Sequence, residues 1–137
     1  MFFHVPKTMK TMYYLHKDEG FLKVCRGFMS PSYDVHRFTR PNEAIEAVRE
    51  TQPDVFMMNT RLYDRDWLVF AKQLYELRPE MPVIIATNGG DVHPLILAKR
   101  GEEHNICGTI YPVELGTLCS KVDRILARMP VASQQKS

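Results

Sequence analysis

The sequence has little cysteine and no paired cysteine motif. Three cysteines occur in 137 residues, Cys25, Cys107 and Cys119, and no two of them form a C-x-x-C pair. An odd number of separated thiols is typical of a reducing compartment and argues against a disulfide framework. The five histidines are scattered over different segments without the close spacing of a zinc site, so we expect no metal.

The sequence also lacks long hydrophobic runs and a strong charge of one sign. No apolar run approaches the roughly 20 residues that a membrane-spanning helix needs, and residues 1–7 do not resemble a signal peptide. Eighteen basic and sixteen acidic side chains are interspersed, with a net charge of +2 and no basic stripe. We therefore expect a cytoplasmic domain that binds neither membranes nor nucleic acid directly.

What the sequence does contain is a regular alternation of short apolar runs with longer helical patterns. Pro41 suits the first turn of the second predicted helix, and the third predicted helix ends before Pro79. Five strand–helix pairs predict a flavodoxin-like α/β fold, with a doubly wound five-stranded parallel sheet between two layers of helices. The predicted strands cover residues 12–15, 33–39, 54–58, 82–87 and 106–110.

The length and these patterns predict one domain, since domains commonly span roughly 100–150 residues. It is expected to cover residues 12–129, after an N-terminal extension of residues 1–11. Residues 130–137 are small and polar and form either a free tail or the start of a linker.

A ligand site in such a sheet lies beyond the carboxyl ends of its strands. The first predicted strand is followed directly by His16, Lys17 and Asp18, and the third by Asn59. Thr87 ends the fourth strand. Tyr111 follows the fifth, so these six residues are the candidate site.

The order of these segments resembles the CheY-like receiver domain of bacterial response regulators. Residues 53–59 are similar to the strand that in this family ends in the phospho-accepting aspartate. Residues 79–87 resemble the lead-in to the family's switch threonine, which falls on Thr87. Tyr111 and Pro112 stand where the family has Lys-Pro. The resemblance implies a role in two-component signal transduction and the phosphorelay.

The residues that depart from the family pattern are those that carry its chemistry. Position 59 is asparagine, and a neutral amide is a poor nucleophile that cannot hold an acyl phosphate. His16 and Lys17, or Lys17 and Asp18 in a register shifted by one, replace the family's two Mg²⁺-binding acids. Tyr111 replaces the phosphate-pairing lysine. We therefore expect no catalysis and no cofactor, and hypothesise that the Lys17 ammonium takes the place of the metal.

The resulting prediction is a non-phosphorylatable pseudo-receiver that acts as a protein–protein interaction or dimerisation module. Its partner would be a protein, an output domain or a second copy, bound by the fourth helix, fifth strand and fifth helix of the predicted fold. Leu97, Tyr111 and Leu115 are the candidate contacts. The alternative is a domain that still binds a small anionic ligand or a nucleotide in the old pocket and switches on it, through Lys17, Asn59 and Thr87.

Three further positions depart from the family pattern or serve packing. Trp67 replaces a glycine and Tyr63 a proline in the loop after the third strand, and the two aromatics either fill the vacated pocket or form a docking surface. We favour packing on the pocket side. Gly108 lies near the family's switch aromatic, which argues against a switch. Cys25 and Cys119 are expected to act as small apolar residues of helix faces.

Overall fold

The computed structural model describes residues 9–30, 32–88 and 106–129. The strands are β1 (Lys10–Leu15), β2 (Tyr33–Phe38), β3 (Val55–Met58), β4 (Val83–Ala86) and β5 (Ile106–Ile110). The helices are α1 (Glu19–Met29), α2 (Pro41–Glu50), α3 (Trp67–Leu77) and α4 (Leu115–Ala127), of which α4 is the fifth helix of the sequence prediction. The helix predicted after Asp91, with Leu97, lies outside the described residues.

The five strands form one parallel sheet in the order β2-β1-β3-β4-β5. This topology confirms the predicted doubly wound fold. The chain reverses its direction of winding between β1 and β3, and a crevice at that switch is expected beyond the carboxyl ends of those strands. No helix within the described ranges is long and apolar enough to cross a membrane.

The first strand is longer than its apolar run indicates. Lys10 and Thr11 pair with Tyr33 and Asp34 of β2, although both were assigned to the N-terminal extension. Asp54 holds this end of β1 in place, because its carboxylate accepts a hydrogen bond from the Thr11 N–H (2.7 Å) and its own N–H donates to the Thr11 carbonyl (2.9 Å). Backbone pairing, which apolar patterning does not report, therefore extends the strand by two residues.

Alternate side chains of β1 supply two separate cores on opposite faces of the sheet. Met12 and Tyr14 face α1 and α4, whereas Tyr13 and Leu15 face α2 and α3. Helix starts are capped locally: Asp18 accepts from the Phe21 N–H at α1, and Asp66 from the Leu68 N–H at α3. Pro41 begins α2 as predicted.

Two residues of the predicted site region have packing roles in these cores. Trp67 is 4% exposed in the core between the sheet and α2 and α3, so neither predicted location, the pocket or a docking surface, is correct. A Cβ on Gly108 would lie 2.7 Å from two carbons of Ile125, so the glycine permits α4 to approach β5 closely. Cys25 is fully buried, and Cys119 is half-buried against the same core.

Candidate functional site

A cavity of about 260 Å³ opens at the carboxyl ends of β1, β3 and β4. We call it the carboxyl-end cavity. Three of the six candidate site residues line it, His16, Asn59 and Thr87, whereas Lys17, Asp18 and Tyr111 do not. The full lining is Tyr14, His16, Phe21, Asn59, Arg61, Ala86, Thr87, Asn88 and Val113. No carboxylate is among these described lining residues.

His16 is held in the cavity wall by contacts on every side of its ring. The imidazole stacks on Phe21 with 4.4 Å between ring centroids, and its Nδ1 accepts the Asp18 backbone N–H at 3.0 Å. Burial lowers the pKa of His16, with Lys17 acting in the same direction and Asp18 opposing it. The ring is therefore neutral at pH 7, and because Nδ1 is an acceptor, its proton is on Nε2.

Asn59 faces His16 across the cavity. Its backbone N–H donates to the Leu15 carbonyl at 3.1 Å, which fixes it beside the end of β1. Its Oδ1 accepts the Thr60 N–H at 2.8 Å, so the amide nitrogen Nδ2 is turned toward His16 Nε2, 3.3 Å away. Both of these nitrogens carry protons. The contact therefore brings two donors together, and neither satisfies the other.

Thr87 and Asn88 close the cavity on the β4 side. Thr87 is 3% exposed, its N–H donates to the Ile110 carbonyl, and its hydroxyl lies 3.1 Å from that of Thr60. Asn88 Oδ1 accepts the Val113 N–H at 2.8 Å, which ties the end of β4 to the loop after β5. The position of Thr87 follows from its place at the end of a buried strand, as predicted.

The remaining candidate residues are directed elsewhere. Lys17 Nζ lies 5.5 Å from the centre of the Tyr63 ring, and Arg40 packs on the same ring at 5.2 Å. Lys17 does not line the cavity, so the hypothesis that its ammonium takes the place of the metal is wrong. The cation–π contact holds it outside. Asp18 is occupied as the α1 cap through its Oδ1, 3.1 Å from the Phe21 nitrogen. Tyr111 is 46% exposed at the surface.

The six candidate residues do not include Arg61, the one cationic side chain of permanent charge among the described lining residues. The available signal was its position three residues beyond the end of β3, at the edge of the sheet where ligands bind. In the described ranges, no three histidine, cysteine, aspartate or glutamate side chains are grouped so as to hold a metal ion. Each described side chain of the cavity lining is therefore positive or neutral.

Of the predicted interaction residues, Tyr111 is exposed and Leu115 is half-buried against the core that contains α4. Leu97 lies outside the described residues. A second exposed apolar pair was not singled out from the sequence: Val24 and Phe28, one turn apart on α1, are 50% and 55% exposed.

The fold has many solved counterparts, although no protein-family model matches the chain. A stretch of 63 residues, 46% of this chain, is 33% identical to the DNA-binding transcriptional regulator NtrC of Proteus hauseri and covers 13% of that regulator's length. A CheY-like receiver domain protein of Methanospirillum hungatei superposes with a TM-score of 0.77 at 16% identity, over 94% of this chain and 99% of that one.

Two further structures agree with that similarity. The BeF3-activated DrrB receiver domain has a TM-score of 0.72 at 21% identity and covers 88% of this chain and 99% of its own. NtrX of Brucella abortus has a TM-score of 0.76 at 16% identity, over 93% of this chain and 29% of NtrX. The chain therefore has the fold of CheY-like response regulator receiver domains.

Proposed function

We propose that this domain is a non-phosphorylatable receiver-like module that acts by protein–protein contact in two-component-type bacterial signalling. The observation that carries the proposal is the state of position 59. Asn59 presents an amide whose oxygen is already bonded to the Thr60 N–H, and no carboxylate is among the described residues that line the cavity. The domain is therefore proposed to be a binding module and not an enzyme.

Phosphoryl transfer needs a nucleophile and positive charge that neutralises the transferred group. An amide is a weaker nucleophile than a carboxylate, and its attack on a phosphoryl group cannot produce an acyl phosphate. The acid nearest in sequence to the first strand, Asp18, caps α1. The carboxylate oxygens that commonly hold Mg²⁺ are thus missing from the described lining of the cavity.

The contact surface proposed for this module is the β5–α4 side, through Tyr111 and Leu115. Tyr111 combines an apolar ring, 46% exposed, with a hydroxyl group, and tyrosine is enriched at protein interfaces. The proposed partner is a second copy of the chain or an output domain. Binding of either partner would bury the Tyr111 side chain. Leu97 is the third proposed contact.

Two measurements test the proposal. First, incubation with Mg²⁺ and the phosphodonor acetyl phosphate is expected to leave the intact mass unchanged; a gain of one phosphoryl group contradicts the proposal. Second, sedimentation velocity over a concentration series is expected to show self-association that Tyr111→Ser weakens. Val24→Ser is the matched control, since it removes an equally exposed apolar side chain from α1. Equal loss in both variants, or a monomer throughout, argues against the β5–α4 surface as a dimer contact.

The second proposed function is a receiver-like domain that responds to a small anionic ligand or nucleotide in the carboxyl-end cavity. The specific observation in its favour is that the described lining contains hydrogen-bond donors and Arg61 and no carboxylate. Of the three side chains first proposed for this role, Asn59 and Thr87 line the cavity and Lys17 does not.

A further inference from the structure

We infer that Asn88 is a site of spontaneous covalent modification, at which the side-chain amide is converted to a carboxylate in the folded protein. Asparagine is one of the thermolabile residues of proteins, and Asn88 is followed directly by Gly89 in the sequence. Water is the co-reactant, and the reaction needs neither a metal ion nor an enzyme. The site is independent of both proposed functions, because it concerns the lifetime of one covalent bond.

The reaction at this site is an intramolecular acyl transfer followed by hydrolysis. The backbone nitrogen of Gly89 attacks Cγ of Asn88, so an N–Cγ bond forms and the Cγ–Nδ2 bond breaks. Nδ2 leaves as ammonia and takes the proton of the peptide nitrogen. Water then opens the cyclic succinimide. Opening at Cγ yields aspartate, and opening at the backbone carbonyl carbon yields isoaspartate, in which the main chain runs through the former side chain.

The residue that follows Asn88 favours this attack. Glycine has no Cβ, so its backbone nitrogen approaches Cγ without steric hindrance. The other two asparagines of the described ranges, Asn42 and Asn59, are followed by glutamate and threonine. At Asn59 the next backbone N–H is also held by a hydrogen bond to Oδ1 at 2.8 Å. Asn88 is therefore expected to be the most reactive of the three.

A hydrogen bond supplied by the fold activates the Asn88 amide. Attack at Cγ moves negative charge onto Oδ1, and the Val113 N–H donates to that oxygen at 2.8 Å. A backbone N–H at this distance stabilises the charge that develops in a tetrahedral intermediate, as the donors of an oxyanion hole do. The donor lies in the loop after β5, so the tertiary structure provides it and the local sequence does not.

The position of Asn88 also gives water access to the reacting groups. Thr87 is 3% exposed, and its N–H donates to the Ile110 carbonyl at 3.0 Å, the last backbone bond from this segment to β5 among the described residues. Asn88 comes directly after that bond and is exposed. The amide is therefore one residue beyond the end of the sheet ladder, where water can hydrolyse the succinimide.

The modification changes the lining of the carboxyl-end cavity, to which Asn88 belongs. The described lining residues include no carboxylate, and conversion of Asn88 adds one. The added negative charge lowers the formal net charge of the chain from +2 to +1. Aspartate keeps an oxygen that can accept the Val113 N–H. Isoaspartate lengthens the main chain and moves the carboxylate, so it alters the tie between the end of β4 and the loop after β5.

The test is incubation of the folded full chain in a mildly alkaline buffer at physiological temperature, followed by intact mass spectrometry and peptide mapping. The mass is expected to rise by the difference between an OH and an NH₂ group, and a more acidic species is expected on ion exchange. Peptide mapping is expected to locate the change at Asn88 while Asn42 and Asn59 remain amides. An unchanged mass, or equal conversion of the three asparagines, overturns the inference.

Two variants that each replace a cavity-lining asparagine by glutamine sharpen this test. Asn88→Gln keeps an amide at the site but moves its carbonyl carbon one methylene away from the attacking nitrogen, so the mass gain is expected to disappear. Asn59→Gln is the matched control and is expected to leave the mass gain unchanged. A mass gain that persists in Asn88→Gln, or one that is lost in Asn59→Gln, contradicts the assigned site.

The contribution of the Val113 N–H is tested by unfolding the chain. Guanidinium chloride keeps Asn88 and Gly89 adjacent but separates Asn88 from Val113. Because the fold supplies the activating donor, conversion in the folded protein is expected to be at least as fast as in the unfolded chain. Conversion that is slower in the folded protein, or confined to the unfolded chain, overturns the inference. These measurements are separable from the acetyl phosphate and sedimentation experiments, since neither of those depends on the amide of Asn88.

Discussion

The interior of the sheet and its carboxyl end differ in the chemistry of their side chains. In the interior, side chains of β3 and β4 are nearly or completely removed from water and pack in two apolar cores. At the carboxyl end, His16 and Asn59 bring two hydrogen-bond donors together without an acceptor. The fold therefore depends on the packing of the apolar interior, and the side chains that line the cavity at the strand ends are not part of either apolar core except at Tyr14, Phe21, Ala86 and Val113.

The largest expected effect is in the interior, at Trp67. Trp67→Ala removes a 4% exposed side chain from the α2/α3 core and should lower the free energy of unfolding by about 3–5 kcal/mol. Denaturant unfolding measures the change, and the amide signals of His16 and Asn59 should stay in place. The control is Val69→Ala on the same helix, 53% exposed, which should change stability little. A normal unfolding curve with lost self-association would contradict the core role.

The next effect concerns the close approach of α4 to β5. Gly108→Ala places a Cβ 2.7 Å from Ile125 and should cost about 1–3 kcal/mol, because side chain or helix must shift. Gly116→Ala, in α4 with open space around its Cβ, should instead stabilise by up to about 1 kcal/mol. Thermal unfolding of the two variants checks the opposite signs. If both substitutions stabilise the protein, Ile125 does not approach position 108 as closely as 2.7 Å.

A smaller difference separates two buried tyrosines of the α1/α4 core. The Tyr33 hydroxyl donates to the Asp123 carboxylate, whereas the buried Tyr14 hydroxyl has only the Cys25 thiol, a weak hydrogen-bonding group, beside it among the described residues. Burial and the bond to Asp123 both raise the Tyr33 pKa. Tyr33→Phe should cost about 1–2 kcal/mol and Tyr14→Phe close to nothing. Equal costs, measured by denaturant unfolding, would show that the bond to Asp123 adds no stability.

The smallest expected effect is a pH dependence at the carboxyl end. Burial lowers the folded-state pKa of His16 below its ordinary 6.5, so the unfolded chain takes up the proton first as the pH falls. This contribution should therefore reduce stability as the pH drops through 6.5, with a slope under the one-proton limit of about 1.4 kcal/mol per pH unit. His16→Gln should flatten the slope, and His36→Gln, at an exposed position of β2, is the control. A steeper slope in His16→Gln would show that His16 is not the cause of this pH dependence.

Much of the fold and part of the cavity lining could be predicted from the sequence, because their causes are local in the chain. Residues 83–86 form β4, inside the predicted range 82–87, because β-branched side chains are bounded by turn residues, and Pro41 begins a helix because its fixed φ suits the first turn. Asn59 and Thr87 line one cavity because each follows or ends a buried strand of a parallel sheet. The similar solved structures confirm the fold that these patterns predict.

Side-chain direction in the loops could not be predicted in the same way. Lys17 and Arg61 are both cations just beyond a strand, yet Lys17 packs on Tyr63 and Arg61 lines the cavity. That choice depends on Arg40 and Tyr63, which arrive from two other strand–helix connections. Trp67 was assigned to the site because of its neighbours in sequence, whereas the start of α3 directs it into the core.

The order of strands and helices, the parallel sheet and the presence of an amide at position 59 follow from the amino-acid sequence alone, because periodicity, caps and residue chemistry act over a few positions. Tertiary packing alone sets the contact between His16 and Asn59, the presence of Arg61 in the cavity wall and the need for glycine at position 108. Those outcomes depend on distances between residues far apart in the chain, such as His16 and Asn59, which exist only once the sheet has formed.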